Sequence, residues 1–351
     1  MLGGTLINST VGVIDGGSTL SALTLSGIIG NGELIEGKAS QGLILTGAVA
    51  NSKTIEALGT SATVTIIDGA VINASAGAIL ASGVGAEVEL DGATIAGGTL
   101  STGGTQAMIE VASAADAVFG NATNDGAVEI NDLATLDLQG SSFTNKGTVV
   151  LVGSVAATLQ IDNNLTLLGT GAVLMSNTAG GANIQASGLS GTTLTNDSHI
   201  SGMGEIGHNG LILVNSGTID ADSAIDPLII NNGIITADTN AGILEATAGG
   251  DGGLDILNNF ANTGTLEALG TSATVLIENA VTVSNTNGGI ISASGTAAKV
   301  VFDNATILGG KLQTTGSNAA IETDAKLTTL PRLHARVRFE NKPDPGREVA
   351  T

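Results

Sequence analysis

The chain has 351 residues, with 52 Gly, 5 Phe and no Trp, Tyr or Cys, and its 11 Lys plus Arg against 32 Asp plus Glu give a net charge of −21. An aromatic content of 1% excludes the bulky cores of ordinary domains, while 42% hydrophobic residues and a mean hydropathy of +0.36 exclude a disordered chain. The acidity argues against nucleic acid or an anionic membrane as partner, and the lack of Cys removes disulfides, thiolate metal sites and cysteine nucleophiles.

The chain starts Met1-Leu2-Gly3-Gly4-Thr5, without the basic and apolar regions of a signal peptide, and reads as the middle of a repeat. Gly3-Gly4-Thr5-Leu6 returns as Gly97-Gly98-Thr99-Leu100 and, with one change, as Gly309-Gly310-Lys311-Leu312. No window of 18 or more apolar residues exists, so no transmembrane helix is expected. Apolar pairs two residues apart predict short strands along the whole repeat region: Val64/Ile66, Val88/Leu90, Leu136/Leu138, Leu159/Ile161, Leu165/Leu167, Leu211/Leu213, Leu254/Ile256 and Val300/Phe302. Between them fall turn steps such as Asp15-Gly16, Asn31-Gly32, Asp68-Gly69, Asp91-Gly92, Asn209-Gly210 and Asn287-Gly288. The Gly content disfavours helix at ~1 kcal/mol per interior glycine. Thr105–Phe119 carries Met108, Val111, Ala115 and Val118 at helical spacing, but its counterpart Ser317–Lys326 keeps only Ile321, so strand is expected there too.

Self-comparison sets the architecture. Residues 54–64 return as 265–275 with 10 of 11 positions identical, and 82–100 match 294–312 at 11 of 19, so a long unit repeats at an offset of 211–212 residues. A weaker register of about 94 residues links Gly3 to Gly97 and Asn51 to Asn145. An antiparallel sandwich would use the same turns, but a core so poor in aromatics suits an all-β parallel β-helix, a β-solenoid stacking aliphatic on aliphatic. Asn steps at Asn215, Asn231 and Asn262 predict side-chain stacks between coils. Coils of roughly 20 residues give about 16 coils over residues 1–325 and a rod of ~75–80 Å, right-handed on the general crossover preference. Residues 326–351 form a separate, non-repeat tail, expected to be disordered. It holds 6 of the 11 basic residues, all four Arg (Arg332, Arg336, Arg338 and Arg347), and Pro331, Pro343 and Pro345. Two readings of it stay open: a native basic arm, or the product of a frameshift or truncated gene.

Four runs carry a resemblance: Ile200-Ser201-Gly202-Met203-Gly204-Glu205-Ile206-Gly207, Leu213–Ala221, Asn262–Ala268 and Asp303–Gly310. They resemble the Gly/Asn/Thr-rich β-strand-repeat exoproteins of Gram-negative bacteria, which are similar to autotransporter passengers and filamentous haemagglutinin-like adhesins. The resemblance implies a fragment of a secreted or surface-displayed repeat protein, an adhesin or structural spacer, at the extracellular or outer cell surface. It implies host or bacterial surface glycans or proteins, or self-association, as partners. The export signal and membrane anchor of such proteins are absent from this chain and are expected to be encoded elsewhere.

Chemistry-bearing patterns are few. Gly202-x-Gly204-x-x-Gly207 matches a dinucleotide fingerprint with Asp220 or Asp222 downstream, but it leads into His208-Asn209-Gly210 and a strand rather than a helix, so a turn is expected. Gly249–Asp255 resembles a calcium-binding nonapeptide, with Leu254 where Asp is required. His199 and His208 are the only histidines before the tail. The alternative function is a polysaccharide-active parallel β-helix lyase or hydrolase, for which Asp220, Asp222 and Asp226 form the densest acidic group. The repeat region has no Arg, Tyr or Trp to serve as base or sugar platform, so no enzymatic activity is expected. An ice-binding Thr ladder is disfavoured because Thr63-Val64-Thr65 stands nearly alone. No catalytic, cofactor-binding or metal-binding residue is singled out, and no cofactor is expected beyond weak Ca²⁺ binding by surface carboxylates.

Overall fold

A computed structural model describes residues 5–9, 11–17, 20–177, 181–188, 191–233 and 237–323. Among them there is no helix. Short strands run from Thr5–Asn8 to Ala320–Thr323, and each named pair between coils is parallel. The chain winds into a β-solenoid with three faces, visited in turn. Face 1 starts with Thr5–Asn8 and includes Ala70–Asn73 and Ala93–Ala96. Face 2 starts with Val13–Gly16 and includes Thr54–Leu58 and Ala78–Ser82. Face 3 includes Thr63–Ile67, Glu87–Asp91 and Met108–Val111. Near the N-terminus, the nine-residue strands Leu23–Asn31 and Leu43–Asn51 cross faces 3 and 1 without a turn.

Face 2 is a 14-stranded sheet, so the described rod has about 14 coils and spans ~65 Å at ~4.8 Å per layer. The expectation of about 16 coils is corrected because the corners take up variable lengths of chain. Hydrogen-bonded residues in neighbouring coils lie 19 positions apart between Asn196 and Asn215, but 29 apart between Asn164 and Thr193. The tail 326–351 lies outside the described residues.

Period two does its expected work. All eight apolar pairs named from the sequence are buried, and they stack in columns such as Val64, Val88, Ile109, Val128 and Val149. Burying each such side chain contributes ~1.5–3 kcal/mol. The ambiguous Thr105–Phe119 segment forms the strands Met108–Val111 and Asp116–Gly120, with Ile109, Val111, Ala117 and Phe119 inward. Most turn steps sit at corners, with left-handed backbone at Asp68, Asn209 and Asn287. Asp15-Gly16 instead closes the strand Val13–Gly16.

Stacked asparagines hold the corners. Between faces 1 and 2, Asn8, Asn31, Asn51 and Asn73 form a ladder in which each Nδ2 donates to the next Oδ1 at 2.7–2.9 Å. Between faces 2 and 3, Asn124 donates to Asn145, and Asn196, Asn215, Asn240, Asn262 and Asn285 form a second run at 2.8–2.9 Å. The ladder therefore changes corner part-way along the rod. Of the three asparagines named from the sequence, Asn215 and Asn262 belong to it and Asn231 does not, because residues 231–233 lie at the other corner. There Asn231 Oδ1 accepts from Gly233 N–H, and Asn232 turns to the buried Asp238.

The two copies of the long repeat occupy different faces. Thr54–Leu58 lies on face 2 and its copy Thr265–Ala268 on face 3; Ala70–Asn73 lies on face 1 and its copy Thr282–Asn285 on face 2. The copies are rotated by one strand about the axis.

Candidate functional surface

With the inward positions filled almost wholly by apolar side chains, any function rests on the outward columns and the corners. Parallel, in-register pairing places equivalent residues of successive coils directly above one another, ~4.8 Å apart. On face 3 one outward column runs Thr65, Glu89, Glu110, Glu129, and lower down the same column runs Ser201, Asp220, Glu245, Glu267. Face 2 carries a third acidic stack, Asp15, Glu36 and Glu56, where Lys38 Nζ reaches Glu36 at 2.5 Å and Asp15 at 3.3 Å.

Like charges in register repel, and a strand partly screens its neighbour from water; both effects disfavour an ionised carboxylate. Burial, a hydrogen bond to Glu110 and the nearby carboxylates push Glu87 up to about 7. Burial raises Glu129 and Glu245, aided by their stacked neighbours, and Glu56 likewise, aided by Glu36. Asp220 is also raised, mainly by burial, against a hydrogen bond from Thr247 Oγ1 at 2.8 Å. On face 1, burial and Glu278 push Asp255 up to about 6. Three backbone N–H groups, of Ser154, Val155 and Ala156, act in the other direction on Asp132 and hold its carboxyl below the usual range.

Concavities are shallow. One, of about 660 Å³, is lined by Gly140, Ser141, Asp162, Asn163, Asn164, Gly191 and Thr192. Another, of about 470 Å³, is lined by Glu205, His208, Asn209, Gly210, Asn231, Asn232 and Gly233. Both lie where face 1 turns into face 2, on the corner that the asparagine ladder has left.

The patterns considered from the sequence are scattered rather than convergent. Gly202-x-Gly204-x-x-Gly207 spans two strands and a corner. Gly207, with φ +118°, lets the 231–232 backbone approach where a Cβ would collide with it. His208 pairs with Glu205 at 3.4 Å, while His199 sits on face 3 between Ala172 and Thr218. Leu254 of the calcium-like run is fully buried in the core and Asp255 points outward. Asp220 belongs to the face 3 column, whereas Asp222 and Asp226 fall on the following corner. Thr65 is followed in its column by Glu89 and donates to it at 3.2 Å, which ends any threonine ladder there.

Two features escaped sequence reasoning. The stack Glu89, Glu110, Glu129 was visible only as carboxylates one coil apart, and coil length varies. Asp238 replaces an aliphatic residue inside face 2, paired beside Phe260 and fully buried. Leu213 N–H donates to its Oδ1 at 2.8 Å, Asn232 Nδ2 to Oδ1 at 3.0 Å and Asn258 Nδ2 to Oδ2 at 2.6 Å. Burial raises its carboxyl against those three donors.

No family model and no curated protein matches this sequence. Among solved structures, the TibC-catalysed hyper-glycosylated TibA fragment is similar at 11% identity and a TM-score of 0.29, over 91% of this chain and 99% of that one.

Proposed function

We propose that the chain is a segment of a secreted or surface-displayed repeat protein that acts as an adhesin or structural spacer. One observation carries this reading: the inward positions are committed to an apolar stack broken inside face 2 by Asp238, while the exterior offers long repeated columns and shallow corner grooves. Such a surface gains affinity by repetition, since contacts made along a rod or between many rods raise avidity without a deep pocket. The sequence runs that resemble β-strand-repeat exoproteins support the same reading and an extracellular setting.

The test has two arms. Small-angle scattering of the purified chain is expected to show an elongated particle of ~65 Å. Beads coated at increasing density are then exposed to bacterial and host-cell surfaces, and capture is expected to rise far more steeply than coating density. A compact particle, or turnover of acidic polysaccharides releasing new reducing ends, overturns the reading.

A further inference from the structure

Four Asn-Gly steps occur in the chain, at Asn31, Asn209, Asn232 and Asn287. An asparagine before glycine can lose its side-chain amide when the glycine nitrogen closes on Cγ, because glycine has no Cβ to obstruct the approach. The fold treats the four differently. Asn31 is buried in the ladder, where its Nδ2 donates to Asn51 Oδ1 at 2.7 Å, and Gly32 N–H donates to the Asn8 carbonyl at 2.8 Å. Asn232 is buried with its Nδ2 on Asp238, and Gly233 N–H donates to Asn231 Oδ1 at 3.2 Å. Asn209 is exposed, but its Nδ2 reaches the Ala186 carbonyl at 3.4 Å and Gly210 is buried. Asn287 and Gly288 are both exposed, and among the described residues neither the Asn287 amide nor the Gly288 N–H has a hydrogen-bond partner. A Cβ on Gly288 would meet nothing within 4 Å, so the turn has open space around it.

We propose that Asn287-Gly288 is a self-modifying site, at which the chain converts its own asparagine to isoaspartate and aspartate. Hydroxide removes the Gly288 backbone proton, and the nitrogen attacks Asn287 Cγ. The new N–C bond displaces Nδ2, which takes a proton from water and leaves as ammonia, regenerating the hydroxide. Water then opens the cyclic imide at one of its two carbonyls. Opening at the backbone carbonyl leaves isoaspartate, whose main chain runs through the side-chain carbons; opening at the other leaves aspartate. Rotation of the Asn287 backbone precedes the attack, and one hydrogen bond spans the turn, from Gly289 N–H to the Thr286 carbonyl at 3.0 Å. The first copy of the repeat lacks this chemistry: its corresponding turn, closed by Gly77 N–H on the Ala74 carbonyl at 2.7 Å, carries Ser75-Ala76. The product bears on the ladder, since Gly289 packs so tightly that a Cβ there would collide with Asn285 Oδ1 and the Asn262 carbonyl. A lengthened, negatively charged turn beside Asn285 therefore loosens its 2.8 Å bond from Asn262.

Peptide mass spectrometry of the folded full chain, aged at mildly alkaline pH in water enriched in heavy oxygen, tests this. Asn287 should take up label at least about tenfold faster than Asn31 or Asn232, whose reaction waits for local opening; each tenfold corresponds to about 1.4 kcal/mol of opening free energy. In strong denaturant the preference should vanish. A preference that persists there belongs to the local sequence rather than to the fold, and overturns the structural assignment. Asn287→Ser with Gly288→Ala installs the inert turn of the first copy and should abolish labelling there while circular dichroism stays unchanged. Asn287→Gln serves if that variant misfolds. After conversion, hydrogen-exchange protection of Ile290–Ala293 and Thr306–Leu308 should fall relative to the variant aged alongside. An Asn287 that stays intact in the folded chain, or converts no faster than Asn31, overturns the proposal. Conversion that leaves those strands protected overturns the link to the ladder.

Discussion

The first and second copies of the long repeat make the same hydrogen bonds on different faces. Asn51 donates to Asn73 Oδ1 at 2.8 Å and to the Ala78 carbonyl at 3.2 Å; Asn262 donates to Asn285 Oδ1 at 2.8 Å and to the Ile290 carbonyl at 3.2 Å. Ser52 and Thr263 each bond the carbonyl of the preceding ladder asparagine through both backbone N–H and side-chain hydroxyl. Ser61 and Ser272 take the same left-handed backbone, φ 51° and 57°. Both ladders end at a glycine pair: a Cβ on Gly98 would meet Asn73, and one on Gly310 would meet the Asn285 amide. Yet the copies stand one face apart. What the sequence specifies is thus the strand–turn–strand unit, and the face is set by how many strands precede it. A three-sided coil whose sides are all parallel, aliphatic and alike inside accepts a unit at any side.

The comparison can be broken at its core first. Ile55 and Leu266 hold the same repeat position on different faces and are both fully buried. Ile55→Ala and Leu266→Ala should each cost ~2–5 kcal/mol of local stability, with similar values if the unit carries its own environment. Hydrogen exchange reads this coil by coil, as suits a protein whose coils contact only their neighbours. A large disparity would mean that the face, not the unit, governs packing.

The ladder gives a smaller version of the same test. Asn51→Ala and Asn262→Ala each remove one amide from mid-stack, breaking the bond from the asparagine before it and leaving the Oδ1 of Asn73 or Asn285 without its ladder donor. Each should cost ~2 kcal/mol, concentrated at the mutated corner. Protection lost at the 1/2 corner for the first variant and at the 2/3 corner for the second would confirm that the same bonds serve both places. Loss of only one would show that the copies are not equivalent.

These cases show how far the sequence can be read. Alternating pairs such as Val88/Leu90 reveal strands and core, because period two needs no knowledge of the neighbouring coil. Asn215 and Asn262 are legible as stack members from their local Asn-x-Gly steps. Asn231-Asn232-Gly233 has the same look and fails, because a ladder also requires an asparagine one coil away at the same corner. The acidic columns fail for the same reason. Glu89, Glu110 and Glu129 align only once coil lengths are known, and those range from 19 to 29 residues between bonded neighbours. Asp238 had no signal at all: nothing local distinguishes a carboxylate that replaces a core side chain from one that faces water.

The finest contrast is electrostatic. In the first copy Glu87 lies beside Glu110; in the second, the matching positions hold Lys299 and Glu322, an exposed pair 2.9 Å apart. A carboxyl raised from 4.5 to about 7 is protonated more readily in the folded chain than in the unfolded one. Its contribution to stability is therefore fully present below about pH 4.5 and is lost as pH rises through about 7. Exchange protection around Glu87–Asp91 and Met108–Val111, corrected for intrinsic rates, should fall between pH 5 and pH 8. Protection around Lys299–Phe302 and Ala320–Thr323 should stay nearly level, since an exposed ion pair contributes little. Glu87→Lys transplants the second copy's pairing into the first and should flatten its pH response. If the response persists in that variant, its source is Glu129, whose carboxyl burial and Glu110 also raise, rather than the single residue that distinguishes the copies.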